Sequence, residues 1–328
     1  MASENQLSRY GAIARSVPDL NPGAKVFFVA DSDDTTVGAA NLSDIYPVDK
    51  DGVVRVYTTI QAASNAAAAN RGDVIAVLPS FDHTLARNDT WSTAGVHIVG
   101  IGNGEQRPTV RFGAAADQVD VAANYVHIRG LRFLADADSV TIGLDLDTGF
   151  GGSRVENCVF DWDSNAQNFV TMLRNGQDNV VIDNNQFRAE DTAGTQIGVL
   201  LRQGLYVTVK DNFFYGQFDS VGSAAATAAG AIVSDTTGVV ASGLRIENNT
   251  IVSSDSAAAL LINIDGALAH RGIAVGNKLA TYDTATADTA QVAFGSVLAL
   301  NNQMITRDSD VQQSIVSTRV MRGVLDSG

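Results

Sequence analysis

The sequence predicts an all-β solenoid, a right-handed parallel β-helix with a short N-terminal capping helix. Three observations predict it. First, an octet recurs along most of the chain: apolar, any, apolar, any, Asn or a substitute, any, any, Phe or a substitute. Its copies are VHIRGLRF from 126, SRVENCVF from 153, VVIDNNQF from 180, VTVKDNFF from 207 and LRIENNTI from 244. Weaker copies begin at 273 (IAVGNKLA) and 298 (LALNNQMI), and VHIVGIGN at 96 is an early one. Second, the interval is about 27 residues with no helical periodicity between copies, which suits three short strands per coil better than a strand with a crossover helix. Third, the outward fourth positions read Arg129, Glu156, Asp183, Lys210 and Glu247. Opposite charges therefore meet on neighbouring coils, Arg129 with Glu156 and Asp183 with Lys210.

Taken in order, residues 1–24 contain Pro18 and Pro22 and little periodicity, and read as a docking arm. Residues 25–95 hold the N-terminal strands and the capping helix. KVFFVA at 25–30 is a strand, DSDDTT at 31–36 a solvated turn, and 53–79 a strand, a helix and a strand. Thr58 or Thr59 serves as N-cap, the Ala-rich run propagates the helix, and Gly72 suits the position after its end. The helix covers the first coil, which an open solenoid must protect. Rungs start at about residue 74 and fill 96–305, while 306–328 forms a cap or a subunit-contact tail. The small-residue run SVGSAAATAAG at 220–230 is an insertion that accounts for one long interval.

Within an octet, alternation sends Val180 and Ile182 inward and Val181 and Asp183 outward. The fifth positions, Asn157, Asn184, Asp211, Asn248, Asn277 and Asn302, are predicted to form a side-chain ladder. Phe133, Phe160, Phe187 and Phe214 form an interior stack continued by Ile251, Ala280 and Ile305. A second strand keeps the same beat through Leu144, Met172 and Val199.

Composition excludes several classes. Hydrophobic residues make up 45% and charged residues 18% of 328 positions, as in a folded protein. One cysteine, Cys158, rules out an intrachain disulfide framework, and with four histidines leaves no zinc constellation. No cofactor or metal is expected. No window approaches the ~20 apolar residues of a membrane span, and the start lacks an apolar signal core. The formal net charge of −14 argues against nucleic acid as partner.

Some motifs tempt without context. GIGNG at 100–104 is followed by Pro108 and a strand rather than the helix a dinucleotide site needs. Asp147-Thr148-Gly149 and Asp326-Ser327-Gly328 resemble aspartic protease halves without the flanking fold. His97 and His127 take the same outward slot on adjacent coils, without carboxylate partners for a metal. One patch carries more chemistry. Asp161-Trp162-Asp163, Arg188-Ala189-Glu190-Asp191 and Tyr215-Gly216-Gln217 follow the buried Phe of three successive coils and stack on one side. Trp162, Arg188 and Tyr215 are the candidate carbohydrate contacts, and Asp161, Asp163 and Glu190 the candidate acids for glycosidic cleavage. The plain alternative is ordinary polar turn chemistry. No signature of a polygalacturonase, pectin methylesterase or pectate lyase is recognisable.

KVFFVADSDDTT, then DGVVRVYTTIQAASNAAAANRGDVIAVLPS and VHIVGIGNGEQRPTVRF, resembles a group of tailed-bacteriophage virion proteins over about residues 25–113, with Ser80 where the group usually has Gly. The resemblance implies a β-helix that decorates heads or forms spikes, commonly as a trimer, with capsid or tail proteins as partners. It also implies assembly in the host bacterial cytoplasm and display on the virion surface. The expected function is a non-enzymatic virion structural protein, a capsid decoration or spike, attached through its N-terminal region. The rival expectation is a tailspike or receptor-binding protein that binds or depolymerises host surface polysaccharide.

Overall fold

The computed structural model describes residues 23–30, 55–164, 166–189, 197–218, 230–235, 241–253, 261–264, 270–281, 292–306 and 309–315. The expected arm (but for its last two residues), the turn at 31–36, nearly all of the insertion at 220–230, Glu190 and most of the C-terminal tail lie outside the described residues. Among these residues short strands wind into a right-handed parallel β-helix with three sheets, here called A, B and C, of 11, 10 and 8 described strands. One coil runs through His97–Gly100 in A, Thr109–Phe112 in B and Val119–Val121 in C before re-entering A at His127–Arg129. Pairing is parallel throughout A and C; in B the last strand, Ser309–Ile315, folds back antiparallel on Asn302–Thr306.

Alternation selects the core. In sheet A, Val155, Ile182, Val209 and Ile246 occupy one inward column, all fully buried. In sheet B the rings of Phe133, Phe160, Phe187 and Phe214 stack at centroid distances of 4.9, 4.8 and 4.6 Å. Sheet register extends this column through Ile251 to Leu279 and then Met304. Ala280 and Ile305, expected there, sit one place further on, because the octets at 273 and 298 are offset by one residue from the earlier copies. In sheet C, Leu144 pairs with Leu173, where Met172 was expected, and Leu173 with Val199.

The same offset relocates the ladder. Its members are Asn185, Asn212, Asn249, Asn277 and Asn302, all buried. Each Oδ1 accepts from the backbone N–H and the Nδ2 of the ladder Asn one coil earlier, at 2.8–3.1 Å. The series starts at Cys158, whose N–H donates to Asn185 Oδ1 at 2.9 Å. Asn157, Asn184, Asp211 and Asn248, expected in the ladder, instead take left-handed backbone with φ of 50, 53, 55 and 55°. The A-to-B corner needs one left-handed residue followed by one that points inward, and Asn and Asp tolerate that conformation better than other non-glycine residues.

Helix Ile60–Ala66 begins at Thr59, whose Oγ1 accepts from the Ala62 N–H at 3.1 Å, and it buries Ile60 and Ala63 in the core. It ends at Ala67, earlier than the expected stop near Gly72. The stop is set by Asp73, fully buried, which accepts from the backbone N–H groups of Ala68 and Lys25 and from the Arg71 guanidinium. Burial alone would raise the Asp73 carboxyl, yet these donors bring it below the ordinary value.

Candidate functional site

Because each Phe of the stack points inward, the residues on either side of it point outward from sheet B. The position before the Phe reads Arg132, Val159, Gln186, Phe213, Thr250 and Lys278 on successive coils. The position after it reads Leu134, Asp161, Arg188, Tyr215, Val252 and Ala280. Chemistry concentrates where Arg132, Asp161, Gln186 and Arg188 meet the loop before strand Thr109–Phe112. There an open cleft of about 340 Å³ is lined by Gly104, Glu105, Arg107, Arg132, Val159, Asp161, Gln186 and Arg188.

The loop side of the cleft is a single 3-10 turn, Gly104–Gln106. Gly102, at φ 137°, permits it: a Cβ there would lie 2.3 Å from the Gln106 carbonyl oxygen. This is the structural use of the GIGNG run. Arg107 follows the turn and its Nη1 donates to the Asn157 carbonyl. Burial lowers the Arg107 pKa and the nearby Arg188 lowers it further, while Cys158 acts in the opposite sense. Cys158 is itself pushed up to about 12 by burial, so at neutral pH it is an uncharged thiol. No carboxylate among the described residues forms an ion pair with Arg107.

Across the cleft, the buried Asp161 carboxylate receives two guanidiniums on one oxygen, Arg132 Nη2 at 2.9 Å and Arg188 Nη1 at 3.4 Å. Its other oxygen accepts from the Trp162 N–H at 3.1 Å. Arg188 also donates to Gln186 Oε1 at 2.9 Å. Glu105 is exposed and has no cationic partner among the described residues. One coil beyond Arg188, Phe213 and Tyr215 stand side by side, 41% and 43% exposed, with rings 5° from parallel and centroids 6.5 Å apart. Further along, a shallow groove of about 100 Å³ is bordered by Thr250, Val252, Lys278, Ala280 and Gln303. The face thus presents a charged cleft, an aromatic platform and a shallow groove in one line across the coils.

Of the sequence candidates, Asp161, Arg188 and Tyr215 share one column. Trp162 is only half-buried beside it and aligns with the buried Ala135, at the strand's end rather than on the open face. Asp163 does not join Asp161 in an acid pair. It is bound at 2.9 Å by Arg111, which also grips Asp82 with two hydrogen bonds, and the Arg111 pKa is raised, first by Asp82. That cluster clamps coils together. Arg107, Arg132, Gln186, Phe213 and Glu105 were missed; all five would have surfaced had the position before each Phe and the loop after the early octet been read with the position after it.

On the outer face of sheet A, His97 and His127 approach at 3.4 Å between Nδ1 atoms. Glu156, not anticipated as a partner, lies 3.0 Å from His127 Nε2, but Arg154 and Arg129 already pair with it at 2.7 and 3.5 Å. Among the described residues no group of three or more His, Cys, Asp or Glu is placed to hold a metal ion. No described helix is long and apolar enough to cross a membrane.

No family model and no curated protein matches the chain. Among solved structures it is similar to the pectate lyase Pel9A, at 12% identity and a TM-score of 0.41, over 90% of this chain and 81% of that one. It is also similar to a DFA-IIIase from Arthrobacter chlorophenolicus A6 in complex with GF2, at 13% identity and a TM-score of 0.37, over 95% and 92%. A C387A mutant of the DFA-IIIase in complex with DFA-III gives 13% and 0.33, over 97% and 93%. The expectation of a non-enzymatic virion structural protein is corrected here: the similar structures named are a lyase and a DFA-IIIase, and the likeness to them is one of fold.

Proposed function

We propose that the chain acts on polysaccharide, which it binds lengthwise along the outer face of sheet B. The observation that carries this is the pair of exposed, nearly parallel rings of Phe213 and Tyr215, set beside the cleft that holds Asp161 between two arginines. Exposed aromatic rings offer an apolar face to the C–H side of a sugar ring, and the polar groups next to them supply orientation. The coil spacing of about 4.8 Å sets the cleft and the rings in line for successive residues of a polymer. Glu105 and Asp161 are the two carboxylates lining the cleft, and a pair of carboxylates is the complement that glycosidic cleavage uses. The tailed-phage resemblance of residues 25–113 supports placing this face on a receptor-binding spike that meets a bacterial surface polysaccharide.

The test is to mix the chain with a panel of purified bacterial capsular and other surface polysaccharides, following retardation in affinity gels and the appearance of new chain ends. Binding to at least one polymer is expected, weakened about fivefold in Tyr215→Ala, in line with roughly 1 kcal/mol for a lost aromatic contact. Glu105→Gln should suppress new ends while leaving binding in place. Retardation by none of the polymers, or full binding by a Phe213→Ala/Tyr215→Ala double variant, overturns the proposal.

A further inference from the structure

We propose that the sugar seated in the cleft carries a carboxylate, received by Arg107 together with Arg132 and Arg188; this rests on the polysaccharide reading of the same face. The cleft is a local reversal of the molecule's charge. Three guanidiniums line it against two carboxylates, Glu105 and Asp161, in a chain whose formal net charge is −14. The two acids do not neutralise it evenly. Asp161 is shared by Arg132 and Arg188, and both bonds go to the same oxygen. Arg107 is left with a backbone carbonyl as its hydrogen-bond acceptor. The group nearby that could have balanced it is Cys158, and its buried thiol stays protonated at neutral pH.

A guanidinium that is partly withdrawn from water, next to a like charge and without a counter-ion among the described residues, gains from an incoming anion. The planar fork of arginine matches a carboxylate with two parallel hydrogen bonds. The surplus of one positive charge suits a monoanion. The cleft volume of about 340 Å³ falls at the lower end of small-ligand sites. The column then leads onto Phe213 and Tyr215, so a chain entering by its acidic residue would place its following residues on the rings. The class of ligand assigned is a carboxylate-bearing polysaccharide.

Affinity electrophoresis with matched polymers separates this from the broader reading. The probes are polygalacturonate, alginate and polysialate, each beside its methyl ester, together with a neutral glucan and a sulfated glucan. Wild type is expected to bind at least one acid form tenfold or more tightly than its ester. Arg107→Gln should weaken the acid form much more than the ester and so shrink their ratio at least fivefold, and Arg107→Lys should restore part of it. If Arg107 served only to brace the Gly104–Gln106 turn, Arg107→Gln would weaken acid and ester alike, and the proposal falls. It falls equally if acid and ester bind alike in wild type, or if the sulfated glucan is preferred over every acid polymer. Binding of esters or neutral glucan that depends on Tyr215, with no preference for acid, overturns the carboxylate assignment and leaves the polysaccharide reading standing. Binding of none of these probes overturns the carboxylate assignment too.

Discussion

Asn184 and Asn185 are neighbours with opposite duties. Asn184 is exposed and supplies a left-handed corner, whereas Asn185 is buried and supplies hydrogen bonds between coils. Substitution should separate the two. Asn212→Ala, in the middle of the ladder, removes an acceptor for the Asn185 N–H and Nδ2 and donors to Ile182 and Asn249. A loss of about 3 kcal/mol is expected in denaturant unfolding, the scale for stranding several buried polar groups. Asn184→Gly should change stability by less than about 0.5 kcal/mol, since glycine accepts left-handed backbone freely. The recurrence of Asn was plain in the sequence. Which Asn of a pair turns inward was not, because that depends on backbone conformation at the corner rather than on residue type.

At the scale of one strand, the triplet Phe213, Phe214 and Tyr215 alternates exposed, buried and exposed. Two phenylalanines in sequence therefore do different work. Phe214→Ala opens the ring stack and should cost about 3–5 kcal/mol. Phe213→Ala should leave the unfolding midpoint almost unchanged and weaken polysaccharide binding instead, a contrast read by thermal unfolding beside affinity electrophoresis. The strands of sheet B and their inward Phe were legible because a period of two is visible within four residues. The cleft was legible only on one side. Asp161 and Arg188 follow their Phe in the repeat, but Arg107 arrives from a loop some fifty positions away along the chain from the Asn157 carbonyl it meets. No local pattern announces such a meeting.

For the molecule as a whole, the acidic balance divides into carboxylates that stabilise the fold and carboxylates that strain it. The Glu156 carboxyl is drawn below its ordinary value, first by His127 and then, against burial, by Arg154 and Arg129. A carboxyl lowered on folding stabilises the native state above its unfolded value, and that stability is lost as pH falls through the folded value. Asp120 is the reverse: burial raises it, and the adjacent Asp145 and Asp147 add to the effect. Its ionisation therefore opposes folding as pH rises through the folded value. Melting temperatures should record opposite signs at neutral pH, lower for Glu156→Gln and higher for Asp120→Asn than for wild type. Both differences should shrink in acid.

A strand edge in a parallel solenoid is also an invitation, since any further coil, including one from another molecule, could pair with it in the same sense. Here helix Ile60–Ala66 lies over the first coil, and at the far side of sheet B the strand Ser309–Ile315 runs backwards. A second copy arriving end to end finds no forward-running template in that sheet. In sheet B the reversed strand thus presents an antiparallel edge, the wrong sense for another parallel coil to join.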